Sequence, residues 1–210
     1  MRRAQRCRTR STGDWFPCPS PLKADPGSWV LGNSFVDVSP TNLQAGTLFP
    51  YLPAEGVFRC PSDRTLTNPQ GGKRFDVNRS YTVNATLNAT GGLILPIPPR
   101  PFVHLEKLSS VVTPHPSRVW VFTESSPFVA FPGHPVFDFH IPYPLPYGLW
   151  GNTPTDRHSR GCNLTFADGH AQFHRWKAPK DSWSAGIHKI HPGDDREDHT
   201  WLLDGLPRIS

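Results

Sequence analysis

The chain has 210 residues, 25 prolines, 17 glycines and a net charge of +5. That length suits one domain with long loops. Proline at roughly 12% stands well above a usual ~5%, yet seven Trp and thirteen Phe exclude a disordered chain, because aromatic side chains supply large buried areas. Composition thus predicts a modest core wrapped by irregular chain. The positive excess is local: Arg2, Arg3, Arg6, Arg8 and Arg10 supply it, so the folded body carries no basic patch for nucleic acid. The longest apolar stretch, near Leu93-Ile94-Leu95, stops at Pro96, far short of the ~20 residues of a spanning helix. The basic start runs into Ser11-Thr12-Gly13-Asp14, not into the apolar core of a signal peptide.

Residues 1–27 read as an irregular basic N-terminal segment, residues 28–176 as a globular domain, and residues 177–210 as a tail packing on it. Ser39-Pro40-Thr41 offers a helix start with Leu43, Leu48, Phe49 and Leu52 as its apolar set, bounded by Pro50 and Pro53. Val57-Phe58-Arg59-Cys60 predicts a short strand ending at Pro61. Ser80-Tyr81-Thr82-Val83-Asn84 alternates as a half-buried strand does. Residues 90–102 are proline-rich and read as a loop. Arg118-Val119-Trp120-Val121-Phe122-Thr123-Glu124 is β-branched and aromatic, and predicts a central strand. Residues 126–156 read as an ordered, irregular insertion. Trp201, Leu202, Leu203 and Leu206 predict a small amphipathic helix or docking segment. The fold class expected is α+β, mainly antiparallel β-sheet with short helices and long Pro-rich loops.

Asp168-Gly169 is a strong hairpin signal, since a type I′ turn needs positive φ at both central residues. A two-residue loop there pairs Ala167 with His170, Phe166 with Ala171, Thr165 with Gln172, Leu164 with Phe173 and Asn163 with His174. One face then carries Leu164, Phe166, Ala171 and Phe173. The other carries Asn163, Thr165, His170, Gln172 and His174.

His158 followed by nine residues and Asp168-Gly169 matches the H-X9-DG signature, and the chain resembles prepilin-type processing-associated proteins, relatives of the major pseudopilins of type II secretion. Phe58-Arg59-Cys60-Pro61-Ser62-Asp63 resembles that family's C-P-x-D segment. Gly46-Thr47-Leu48-Phe49-Pro50-Tyr51, Ser80-Tyr81-x-x-Asn84 and the strand ending at Glu124 follow its other segments in order. The motif residues so marked are His158, Asp168, Gly169, Cys60, Pro61 and Asp63. The resemblance implies a pseudopilin-like globular domain. It also implies a non-enzymatic structural subunit of a type II secretion pseudopilus or pilus-like assembly, with other pseudopilin subunits or secretion-system proteins as partners. The expected place is the cell envelope, at the inner membrane, its periplasmic face or the cell surface. The family's apolar N-terminal helix and cleavage motif do not appear, so a truncated N-terminus is expected, and membrane contact only through that missing helix. The alternative is an extracellular carbohydrate-binding or adhesion module using Tyr143, Tyr147 and Trp150.

No enzymatic signature emerges: G-x-S-x-G, H-E-x-x-H and phosphate-loop patterns are absent from the sequence. Cys162 falls on the apolar face of the hairpin, where a thiol is inert. Cys7, Cys18, Cys60 and Cys162 form no CxxC pair. A disulfide joining Cys18 to Cys60 or Cys60 to Cys162, or unpaired thiols, all fit. No cofactor is expected beyond calcium, which the family's major pseudopilins bind in a C-terminal loop; Asp168 and His158 are the candidate metal ligands. The run Asp194-Asp195-Arg196-Glu197-Asp198 reads as a solvated acidic face.

Overall fold

The computed structural model describes residues 29–32, 34, 37–67, 75–84, 86–87, 107–125, 139–140, 142–143, 149–150, 153–180, 188–189 and 195–208. The basic segment 1–27 with Cys7 and Cys18, the 90–102 loop and much of the 126–156 insertion, Tyr147 included, lie outside them. Among the described residues the fold is α+β. Its strands are β1 (Leu66–Thr67), β2 (Phe75–Asp76), β3 (Tyr81–Asn84), β4 (Trp120–Glu124), β5 (Phe139–His140), β6 (Pro142–Tyr143), β7 (Leu149–Trp150), β8 (Gly161–Phe166), β9 (Ala171–Arg175) and β10 (His188–Lys189), and its α-helices are α1 (Thr41–Gln44) and α2 (Arg196–Asp204). A five-stranded sheet runs β5-β3-β4-β8-β9, with β1-β2 and β10-β7-β6 as small satellites. Only the β3–β5 pairing is parallel in the main sheet. As the β-branched run predicts, β4 is central. Its register against β8 shifts between Trp120 and Phe122, so that Trp120 faces one side and Phe122 and Glu124 the other.

Each face of the sheet carries its own apolar layer. Trp120, Cys162, Leu164 and Phe166 pack with Trp150, Trp176 and with Leu202 and Leu206 from the C-terminal segment; the Trp120 indole also donates to the Leu202 carbonyl at 2.9 Å. Against the other face, Trp29, Val30, Leu43 and Phe58 pack on Val83, with Tyr81 and Phe122 alongside. The helix expected from Thr41 is a single α turn followed by a 3-10 turn at Phe49–Tyr51. The strand expected at Val57–Cys60 is instead a 3-10 turn, Glu55–Phe58. The Val57 amide donates to Ala54, and Phe58 anchors the segment by stacking with Trp29 and Phe49. Aromatic packing replaces a sheet ladder there.

The hairpin at Asp168-Gly169 is present, but one residue out of the expected register. Thr165 faces Ala171, Leu164 faces Gln172, Asn163 faces Phe173 and Cys162 faces His174. The loop has three residues, 167–169. The Phe166 carbonyl accepts from the Gly169 amide and the Phe166 amide donates to the His170 carbonyl, both at 2.9 Å, and Gly169 sits at φ +92. This is a type I turn closed by a left-handed glycine. The β8 faces are as expected, with Cys162, Leu164 and Phe166 buried and Asn163 and Thr165 exposed. The β9 faces are exchanged: Phe173 is 46% exposed, while His174 turns toward α2 and stacks on Trp201 at 3.7 Å.

Candidate functional site

Several of the segments that carry the resemblance lie far apart in sequence and meet on the Phe122 side of the sheet. Cys60-Pro61-Ser62-Asp63 is a tight turn in which the Asp63 amide donates to the Cys60 carbonyl at 2.9 Å; Pro61, exposed, sits where a fixed φ favours such a turn. The Cys60 amide donates to Ser80 Oγ at 3.1 Å, and that hydroxyl donates to Asp63 Oδ2 at 2.6 Å. Thr65 donates to Asp63 Oδ1 from its amide and hydroxyl, and Arg157 Nη1 forms an ion pair with Asp63 Oδ2 at 2.9 Å. Burial pushes the Asp63 carboxyl up, but the Ser80 and Thr65 hydrogen bonds and the Arg157 charge outweigh it and hold it below its ordinary value.

Beside this knot stands a second group. Glu124, at the end of β4, is 1% exposed. Asn163, its neighbour on β8, donates to Oε1 from both amide and side chain, at 3.3 and 3.0 Å. Glu124 Oε2 lies 2.9 Å from His158 Nε2, and the same nitrogen lies 3.3 Å from Cys60 Sγ. One ligand atom from each of Cys60, Glu124 and His158 lies within 4.8 Å of the others, a group that can hold a metal ion. Cys60 and Glu124 are buried, whereas the His158 side chain is 27% exposed, which makes it the group's most accessible member.

The turn delivering His158 is strained. Ser159 and Arg160 have φ of 51 and 66, two successive non-glycine residues in the left-handed region. The His158 amide donates to the Gly161 carbonyl at 3.2 Å and the Trp176 amide to the Arg160 carbonyl at 2.7 Å. Gly161 is held there by close approach: a Cβ would stand 2.3 Å from the His174 carbonyl oxygen. Tyr81 faces Glu124 across the β3–β4 ladder, and burial, reinforced by the Glu124 charge, pushes its phenol up to about 12. It is a neutral hydroxyl at the margin of the site.

Cys60, Asp63 and His158, singled out in the sequence, are therefore brought together, with Pro61 shaping their turn. Asp168 and Gly169 are not. They lie beyond the far end of β8, about 17 Å on at ~3.3 Å per strand residue. There Asp168 Oδ1 accepts from the His170 amide at 3.2 Å and meets the His170 ring; the ring contact, before the amide bond, holds that exposed carboxyl below its ordinary value. Asp168 and His158 do not form one metal site. Cys60 and Cys162 are both free thiols, so the Cys60–Cys162 disulfide is not made. Burial, only partly offset by the Thr123 hydroxyl, pushes the Cys162 thiol up to about 12, in keeping with an inert thiol.

Sequence reasoning missed Glu124, Asn163, Ser80 and Arg157 as site residues. The usable signals were an acid closing an apolar strand and an arginine beside His158. It also misread the acidic run. Asp195 and Asp198 are buried, and both pair with Lys180, itself 1% exposed. Asp198 further accepts from the Lys177 and Ala178 amides, Asp195 accepts from the Trp150 indole, and the ammonium lies over the rings of Trp150 and Trp176. The cation paired with its two buried carboxylates is the chain's own. Trp150 is wholly buried in this cluster and is no stacking surface for a sugar. Among the described residues no helix is long and apolar enough to cross a membrane. Comparison of the chain with protein-family models, with curated proteins and with solved structures finds no match in any of the three.

Proposed function

We propose that this chain is a non-enzymatic structural subunit of a pilus-like envelope assembly, related to the pseudopilins of type II secretion, with other such subunits as its partners. One observation carries the reading. The Cys60–Asp63 turn, Ser80, Glu124 and His158, each lying in a segment that resembles the prepilin-type family, converge to satisfy one another. They tie the loop layer to β4 and β8, as residues that build a rigid sheet domain do. The group that can hold a metal is the thiol–imidazole–carboxylate one. Calcium at Asp168 is disfavoured, because one carboxylate already engaged by His170 falls far short of six to eight oxygen ligands. Cross-linking of a tagged chain in its native cell, followed by envelope fractionation and mass spectrometry, tests the proposal. Recovery with prepilin-type subunits supports it; a chain confined to the cytosol without such partners overturns it.

A further inference from the structure

We propose that Cys60 Sγ, Glu124 Oε2 and His158 Nε2 bind a single Zn²⁺ ion, with the fourth coordination position facing solvent. Four observations converge. The three donors come from three separate elements, the turn after Phe58, the end of β4 and the strained turn before β8, and still lie within 4.8 Å of one another. Their type suits zinc: thiolate, imidazole and carboxylate are its usual ligands, and three protein ligands with one open position is a recurrent zinc arrangement. Tetrahedral bonds of ~2.0–2.3 Å place donor atoms roughly 3.4–3.6 Å apart, so the 2.9 and 3.3 Å separations at His158 Nε2 need to widen by only a few tenths of an ångström. Glu124 is also preset: Asn163 occupies Oε1 from two donors and leaves Oε2 free to point at His158, the outer-shell support typical of metal carboxylates.

Charge completes the argument. Arg157, the guanidinium beside this group, is engaged by Asp63 and by the Ser125 carbonyl at 2.9 Å. A thiolate and a carboxylate match the double charge of the ion, and the partly exposed His158 gives it a way in. On binding, the Cys60 thiol releases its proton to solvent, and His158 presents the Nε2 lone pair with its proton on Nδ1. No redox step is involved. The inference stands on the geometry of these residues and not on the envelope reading; a cytosolic chain that binds zinc would overturn only the latter.

The 210-residue chain, stripped with a chelator, is titrated with Zn²⁺ and with Co²⁺ as a spectroscopic substitute. One equivalent is taken up, the cobalt form shows a thiolate-to-metal charge-transfer band, and the melting temperature rises with zinc. Cys60→Ser abolishes the band, whereas Cys162→Ser keeps it. Asn163→Ala, which removes a positioning group, weakens zinc binding by about 10–100-fold. Should circular dichroism show Cys60→Ser to be unfolded, His158→Gln serves instead: its amide can still donate to Glu124, and it loses stoichiometric binding. A folded wild-type chain without saturable zinc uptake overturns the proposal. So does a charge-transfer band that survives Cys60→Ser, or binding unchanged in His158→Gln.

Discussion

Two buried charged clusters hold opposite faces of the same sheet, and they are balanced differently. Around Lys180 the cluster is closed: two carboxylates, an ammonium, two backbone amides and an indole satisfy one another with all parts supplied by the chain. Around Glu124 it is open: a carboxylate and a thiol meet on one imidazole nitrogen, and the neighbouring guanidinium is engaged elsewhere. The difference teaches where a folded chain keeps its own counter-ion and where it offers room for one. The closed cluster fastens the segment after β9 to the start of α2. The open one fastens the loop layer to β4 and faces solvent through His158.

The comparison breaks most sharply at Lys180. Lys180→Met leaves two buried carboxylates without their cation, and chemical denaturation is expected to show a loss of about 3–5 kcal/mol, insensitive to zinc. Glu124→Gln in the open cluster keeps a hydrogen-bonding group of the same shape. Measured without metal, it is expected to lose only about 1–2 kcal/mol, and to abolish any stabilisation by zinc. Comparable losses in the two variants would erase the distinction drawn here. Gly169→Val lies apart from both clusters. Nothing stands within 4 Å of a Cβ at that position, so only the φ of +92 resists it, and about 1–2 kcal/mol is expected from thermal melts. That is milder than a bare turn signal suggests.

The smallest effect is with pH, and it sharpens the contrast on the α2 side. Burial beneath Trp176 and Trp201 lowers the pKa of His174 from its ordinary 6.5. The unfolded chain therefore takes up the proton first as pH falls. Stability contributed by neutral His174 is full above 6.5 and declines as pH drops from there toward the folded value. His174→Phe is expected to flatten that part of a stability profile. Asp63 acts lower: its depressed carboxyl stabilises the fold above the unfolded value near 3.8, and that contribution is lost as pH falls through the folded pKa. A profile flat from neutrality down to pH 4 in the wild type would contradict the His174 assignment.

What the sequence made legible follows from how each feature is encoded. The strand ending at Glu124 announces itself because β-branched and aromatic residues crowd one short run. The place of the hairpin turn was equally plain, since Gly169 is needed for its positive φ. Its register was not, because β9 is an edge strand largely exposed on both faces and no burial pattern pins it; the loop conformation and the stacking of His174 on Trp201 decide. At the site, His158, Cys60 and Asp63 were visible as motif residues. Glu124 was visible only as a strand end, for its role depends on a β4–β8 register that a local pattern does not contain. Asp195 and Asp198 looked solvated because their partner, Lys180, lies 15 and 18 residues away, beyond the reach of any helical or strand period.

Those separations bear on how the chain acquires its structure in time. His158 lies 98 residues from Cys60 and 34 from Glu124, so the three donors are neighbours only after the loop layer, β4 and the strained turn before β8 have all docked. Contacts of such high sequence separation form slowly, since loop closure opposes them until the rest of the fold is in place. Short peptides spanning any one segment should therefore hold zinc no better than an isolated ligand does. An ion in this position would act as a latch on the finished domain, slowing its unfolding more than it hastens its folding.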